Sequence, residues 1–498
     1  MTTENRFNLI DEPWIPVVDA GRVSLGQLFG TFKYRALGGS PIQKISITKL
    51  LLAIAQAAYT PSDEDGWRLL GPEGLAEKCL VYLKNMHECF WLYGEKPFLQ
   101  MPKISAAKKK SCWVVWPDNA TSDNKTILTG FQAEKPLTDA DKALLIVSLM
   151  GFGMGGKKTD NSVVLSEGYQ GKLSKKNKAS TGKPGTSLGR SGSMHSFLLG
   201  EFLQQTVWLN IFTNEQIEEK FSFFREGVGV APWEKMPEGE DCTTAVSLKN
   251  SLMGRLVPLS RFCLLCENED KIHYSEGISY LAYQDGGIDP SLAIKFSGKK
   301  PTALCVDPEK RPWRSLTALL SFMSKSDKMG YECLQIECGI TRARLLVETL
   351  GIWSGGIKVV NKSGEQYVSG MSDFVDSSIL LSSENLGKAW YEQLKMEMGK
   401  LDSLSEVLFK ATYNFFDYQQ MKEKKRAVKA CNLFWQLCEH QFLALCVACQ
   451  NAKDAKAMRR IVFVPCVNKA YDTFCPKGTA RQLDAWAKNR PNLKKYLS

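Results

Sequence analysis

The chain has 498 residues, 44% of them hydrophobic, with 64 lysines and arginines against 53 aspartates and glutamates, a formal net charge of +11. That length exceeds one ordinary core, so a large domain with a smaller companion is expected, and the apolar share is that of a globular protein. No apolar run reaches the roughly 20 residues that span a bilayer, the amino terminus is polar and fifteen cysteines fall in irregular spacing, so the sequence predicts a cytoplasmic protein with reduced thiols, no membrane anchor and no secretory signal.

Residues 7–18 read as short strands broken by prolines and closed by a turn at Asp19 and Gly21. Ser40 and Pro41 form an N-cap and first helical residue for a helix through Ala58, and a second helix is expected over 74–88. Thr138 to Asp141 is a further helix start. The apolar residues from Ala143 to Met150 carry that helix straight into Gly151, Gly153, Met154, Gly155 and Gly156, followed by Lys157 and Lys158.

This glycine run matches two phosphate-binding patterns on paper. As G-x-G-x-x-G it needs a strand before it, whereas a helix enters it here; as G-x-x-x-x-G-K-[ST] it places Lys158 where a hydroxyl must hold Mg²⁺. Two readings remain open. One is a helix C-cap and loop; the other is a bare backbone whose amides reach phosphate or base edges beside positive charge. A nucleotide-dependent enzyme using the segment from Gly151 to Lys158 is the alternative from another functional class. The loop that follows carries Lys172, Lys175, Lys176 and Lys178 with Lys183 and Arg190, among Gly, Ser, Thr and Asn. It is either a solvated linker or a segment that orders on a polyanion.

From about 207 to 374 strand signals dominate, at 207–212, 254–259, 344–347 and 356–360, with a helical insert at 313–323. Val359 and Val360 on one side and Tyr367 and Val368 on the other flank a turn at Asn361, Lys362, Ser363 and Gly364, with Gly364 suited to its positive-φ position and Glu365 and Gln366 following it, a hairpin. An ordinary hairpin and a groove-entering wedge are both compatible with it. After Leu381 the sequence turns to Lys-rich apolar periodicity over 386–413, 421–450, 453–474 and 479–497, with Pro465 kinking the third segment or marking its true boundary. The fold class is therefore α+β, a large mixed α/β domain over 1–381 followed by an antiparallel four-helix bundle over 382–498.

From residue 386 to the end there are 20 basic and 10 acidic side chains. Lys422, Lys425, Arg426 and Lys429 are a basic cluster in the second bundle segment, with Lys422, Arg426 and Lys429 expected on one helical face, either solvated or phosphate-binding. The four histidines stand in different elements. Carboxylates cluster at 63–65, at Asp139 and Asp141 and at Asp373 and Asp376, the first two groups where helix starts or turns want acids, and Cys263 and Cys266 lack a second pair, so neither catalysis nor a metal is expected.

Five pieces occur in one order: residues 8–16 (Asn-Leu-Ile-Asp-Glu-Pro-Trp-Ile-Pro), 97–100 (Pro-Phe-Leu-Gln), the glycine run, 353–356 (Trp-Ser-Gly-Gly) and 364–370 (Gly-Glu-Gln-Tyr-Val-Ser-Gly). Together they resemble the large subunit of the type I-E CRISPR surveillance complex, Cascade. The resemblance implies a subunit without nuclease activity or cofactor, whose partners are guide RNA, the other Cascade subunits, duplex DNA bearing a protospacer-adjacent motif (PAM) and a recruited helicase-nuclease. It implies PAM contact in the minor groove by Gly151 to Lys158, a wedge at Asn361 to Gln366 with Gln366 foremost, and a guide-RNA loop near 117–131. Two departures stand out. The family's PAM-contacting lysine should fall near 277–285, where there is none and Lys271 is the nearest upstream; of the family's two zinc-binding cysteine pairs only Cys263 and Cys266 match.

Overall fold

The computed structural model describes residues 4–119, 136–154, 159–160, 162–166, 192–297, 299–324, 330–362, 365–368 and 373–497. They form two compact units, one of 1–312, 331–343 and 351–378 and one of 313–330, 344–350 and 379–498.

The first unit is built on helix α1 (Pro41–Ala58). Ser40 is the N-cap and Pro41 the first helical residue, as the sequence predicts, and Gln43 adds a reciprocal capping box with Ser40. Most of its side chains are buried on all sides, from Ile42 through Gln56, which is why it shows no apolar stripe of its own. Around it pack α2 (Glu64–Asn85), α3 (Asp139–Phe152) and α4 (Leu203–Asn210), with α5 (Leu334–Ala343) packed on α4. The second helix starts ten residues before the expected 74, because Asp63 caps it through the Gly66 amide and Gly71, at φ 61, absorbs the kink before Pro72. Trp67 of α2 and Trp208 of α4 stack with centroids 4.0 Å apart, and each indole N–H donates to the other's carbonyl.

Strand expectations failed where apolar runs were short. Residues 207–212 belong to α4 and its exit, and within 254–259 the chain makes one helical turn, Met253–Leu256. A short apolar run buried on all sides carries no period, so strand and helix cannot be told apart there. Residues 344–347 form a turn, and the expected strand over 356–360 is the end of one strand and the start of another.

The sheets are small and antiparallel. One has β1 (Lys109–Ser111), then, across β4 (Lys271–Glu276), β3 (Arg261–Leu265). Another contains β2 (His195–Leu199) beside β5 (Thr349–Ile357), with β8 (Phe374–Ser382) on the far side of β5. Strands β6 (Val360–Lys362) and β7 (Glu365–Tyr367) make the predicted hairpin.

The second unit is led by α6 (Lys388–Tyr418), with Trp390, Leu394, Met398, Leu401, Leu404, Leu408 and Phe415 along its buried stripe. It is followed by α7 (Lys424–Glu439), α8 (Phe442–Ala448), α9 (Ala452–Met458), α10 (Val464–Phe474) and α11 (Ala480–Lys488). α6 packs on α7, α10 and α11, and α7 on α10. The expected 421–450 segment breaks at His440 and Gln441, and the last segment stops as a regular helix at Lys488, two residues before the Arg490–Pro491 step. Pro465 marks a boundary: α9 joins α10 through a π-helical turn, Arg459–Phe463, which widens the helix where proline cannot donate. That turn seats Arg459 against Glu397 of α6, a fully buried pair at 2.6 Å. The expected insert at 313–323 is the short helix Leu316–Leu319 between 3₁₀ turns.

Candidate nucleic-acid interface

The glycine segment begins inside α3. Thr138 and Asp141 cap the helix reciprocally, as the sequence predicts, and Gly151 and Phe152 are its last residues. Gly153 is the C-cap, at φ −57 and ψ 115. It needs glycine for space rather than for backbone conformation. A Cβ there would lie 2.3 Å from Cγ of Arg261 and 2.9 Å from the Tyr274 hydroxyl. The Met154 side chain is 3% exposed and packs inside. Gly155, Gly156, Lys157 and Lys158 lie outside the described residues, as do Lys172, Lys175, Lys176 and Lys178. Where the described chain resumes, the Asp160 amide donates to the Tyr274 carbonyl at 3.0 Å. The segment therefore departs from and returns to one place on the β3–β4 pair.

No strand precedes the glycines, so a dinucleotide fingerprint is excluded by the entering helix. Beside Gly151 lies a cavity of about 10 Å³ lined by Lys49, Leu99, Met150 and Pro258. It holds one water at most, whereas small-molecule pockets run to about 300–1,000 Å³.

In the hairpin, Val360 pairs with Tyr367, Asn361 with Gln366 and Lys362 with Glu365. That register leaves Ser363 and Gly364, which lie outside the described residues, as the two-residue connection. The Gln366 side chain is 3% exposed, turned into the first unit rather than outward.

Of the basic cluster, Lys422 precedes α7 and only Lys425, Arg426 and Lys429 are helical. The expected common face of Lys422 with Arg426 and Lys429 is thus corrected, because the helix starts after Glu423. Arg426 lies 3.8 Å from Glu423 and sits over the Phe416 ring at 5.2 Å, and Lys422, Lys425 and Lys429 are not buried. Lys424, Lys425 and Arg426 occupy the first turn of α7 with no acidic residue in it. Cations there oppose the helix dipole, so helix stability does not account for the cluster.

The model of the family described as CRISPR-associated protein Cse1 matches residues 8–463. The chain belongs to the Cse1 family. The sequence resemblance to the large subunit of type I-E Cascade is borne out by this match. CasA/Cse1 of Thermus thermophilus is 31% identical over 170 residues, 31% of this chain and 33% of that protein, so the aligned segment spans about a third of the curated relative. In fold, Cse1 of Thermobifida fusca is similar with a TM-score of 0.74 at 18% identity, over 99% of this chain and 98% of that one. T. thermophilus CasA (Cse1) gives 0.71 at 19% identity, over 99% of both chains. A chain of a structure described as a CRISPR RNA-guided surveillance complex gives 0.70 at 15% identity, over 99% of both chains.

In this Cse1-family chain, residues 277–285 carry an exposed Leu281, and Lys271, at the start of β4, pairs with Glu269 at 3.2 Å. Of the stretch near 117–131 expected to contact guide RNA, residues 120–131 lie outside the described residues. Cys263 and Cys266 are both buried, and burial pushes both thiols up. Among the described residues no group of three or more His, Cys, Asp or Glu is placed to hold a metal ion. No helix of the described chain is long and apolar enough to cross a membrane.

The acidic clusters serve structure. Asp63 and Asp141 cap helices, and Asp376 accepts from Lys44 at 2.7 Å and from the Trp353 indole at 3.1 Å. The histidines do not converge. His87 pairs with Asp11 at 2.7 Å, a hydrogen bond that raises its pKa, while His195 faces Ser291 and His273 the Ala107 carbonyl.

Sequence reasoning missed Arg261 and Tyr274, which surround Gly153. The signal for the first was a lone arginine opening an apolar strand; nothing in the spacing marked the second.

Proposed function

We propose that the chain is a non-catalytic subunit of an RNA-guided surveillance complex. It recognises the PAM in the minor groove of foreign duplex DNA, helps to open that duplex for guide-RNA pairing and offers a docking surface to a helicase-nuclease. Its partners are guide RNA, the other subunits of the complex and the target duplex, and it works in the cytoplasm without a cofactor. The observation that carries this reading is the family match over residues 8–463.

The glycine segment from Gly151 to Lys158 is the reader. What supports this is that α3 ends in glycines and that the described chain resumes beside the β3–β4 pair it left; backbone amides suit a minor groove, which is poor in base-specific pattern. The hairpin from Asn361 to Gln366 is the wedge. With Gln366 buried at 3% exposure, its tip from Lys362 to Glu365 leads and Gln366 follows when the hairpin shifts on DNA. Residues 382–498, as a four-helix bundle built on α6, α7, α10 and α11, supply Lys422, Lys425, Arg426 and Lys429 to phosphates, together with Lys172, Lys175, Lys176 and Lys178 of the basic loop.

The test uses the assembled complex and a target already unpaired beside the PAM. Opening a base step costs a few kcal/mol, about what a wedge must offset. Deletion of Lys362 to Glu365 should be rescued by the unpaired target, and a bulky residue at Gly155 should not. Equal rescue of both, or of neither, would overturn the division between reader and wedge.

A further inference from the structure

We propose that Arg261 is the positioning residue that fixes where α3 releases the glycine segment, so that PAM preference depends on a side chain that touches no DNA. The inference rests on the reading of that segment as the PAM reader.

Arg261 is 1% exposed, among the largest fully buried side chains of the protein. Its guanidinium donates to the Gly153 carbonyl at 2.8 Å and to the Ser260 carbonyl at 2.5 Å. Among the described residues no carboxylate forms an ion pair with it, and its Nε has no hydrogen-bond partner. Glu276, its cross-strand neighbour, is buried beside it in register without closing such a pair. The Tyr274 hydroxyl is its further polar partner. A buried cation held by two carbonyls and a hydroxyl, with no carboxylate, is costly, and both carbonyls belong to the junction between α3 and β3.

The neighbouring contacts act on the same junction. The amide and the hydroxyl of Ser260 both donate to the Met150 carbonyl, the amide at 3.0 Å. These bonds satisfy carbonyls that the end of a helix leaves without intrahelical partners. On the other side of the segment the Asp160 amide is bound to the Tyr274 carbonyl at 3.0 Å, and the Tyr274 hydroxyl lies against Gly153. Burial pushes that hydroxyl up to about 12 although the Arg261 guanidinium favours its ionised form. Arg261 therefore fills the space a Gly153 side chain would take and sets the direction in which the backbone leaves the helix. The glycine at 153 is there for the arginine. The glycines beyond it remain for the ligand.

The test compares wild type, Arg261→Met and Arg261→Lys in the reconstituted complex. The readouts are affinity for a PAM duplex, affinity for the same duplex with the PAM scrambled, and thermal stability of the chain. Arg261→Met should reduce the preference for the PAM duplex by about tenfold or more, the scale of one lost charge-assisted hydrogen bond, with scrambled-duplex affinity changed by less than about twofold. Arg261→Lys retains one donor and should recover part of the preference. If Arg261→Met does not assemble, Arg261→Lys decides: a reduced preference at unchanged scrambled-duplex affinity supports the proposal, and a wild-type preference overturns it. Equal loss on both duplexes marks a merely structural arginine and also overturns it. A wild-type complex without PAM preference removes the reader itself; a preference kept in wild type and variants alike removes only the role of Arg261.

Discussion

A lysine at the centre of a helix buried on every side needs a strong reason to be there. Lys49 of α1 is 2% exposed and donates to both carboxylate oxygens of Asp289, at 2.8 and 3.0 Å, and to the Arg255 carbonyl at 3.0 Å. Asp289 in turn accepts from the amide and hydroxyl of Ser291, whose hydroxyl meets His195. Burial alone would raise the Asp289 carboxyl, yet Lys49 and these donors hold it at about 2. Replacing Lys49 with Met should destabilise the chain by about 3–5 kcal/mol, because it leaves a buried carboxylate without its cation. Urea unfolding at neutral pH measures this. A carboxyl depressed in the folded state stabilises fully above the ordinary aspartate range, near pH 4, and loses that contribution as pH falls toward its folded value. The gap between wild type and variant should therefore narrow between about pH 4 and pH 2. Lys49 went unread in the sequence, where it is one of two lysines in a largely apolar helix, and its partner lies 240 positions away. The same holds for Arg261 and Gly153. Only the fold says what answers a residue of this kind.

Helix starts were legible because their chemistry is local. Ser40 with Gln43, and Thr138 with Asp141, satisfy orphan amides within four residues of each other. Helix α4 was not legible, since a buried apolar run lacks the period that separates helix from strand. The hairpin was legible from its flanking residues, but its register was not: Asn361 and Lys362, expected in the turn, pair with Gln366 and Glu365, and the burial of Gln366 is likewise a tertiary fact. Helix α7 offers the clearest test at this scale. Cations in a first turn cost about 0.3–1 kcal/mol each. Replacing Lys422, Lys425, Arg426 and Lys429 together by alanine should therefore leave thermal stability equal or higher, while lowering duplex affinity alike for every sequence and flattening its salt dependence. A less stable protein with unchanged DNA binding would show the cluster to be structural, and an altered PAM preference would make it a reader.

At the scale of the whole molecule the second unit gathers 313–330 and 344–350 with 379–498, segments far apart in the chain. The change of composition after Leu381 marks the long helical stretch and cannot announce the earlier pieces that join it. The family was legible at this scale through ordered motifs rather than through any catalytic constellation, and the family match spans residues 8–463. The decisive measurement is binding of a matched target duplex by the guide-RNA complex, assembled with and without this chain, on DNA with the PAM intact or scrambled. With the chain present, the intact PAM should be bound at least about tenfold more tightly than the scrambled one, a difference of about 1.4 kcal/mol, and the preference should vanish when the chain is omitted. Equal preference with and without the chain, or none in either assembly, would contradict the proposed role as PAM reader.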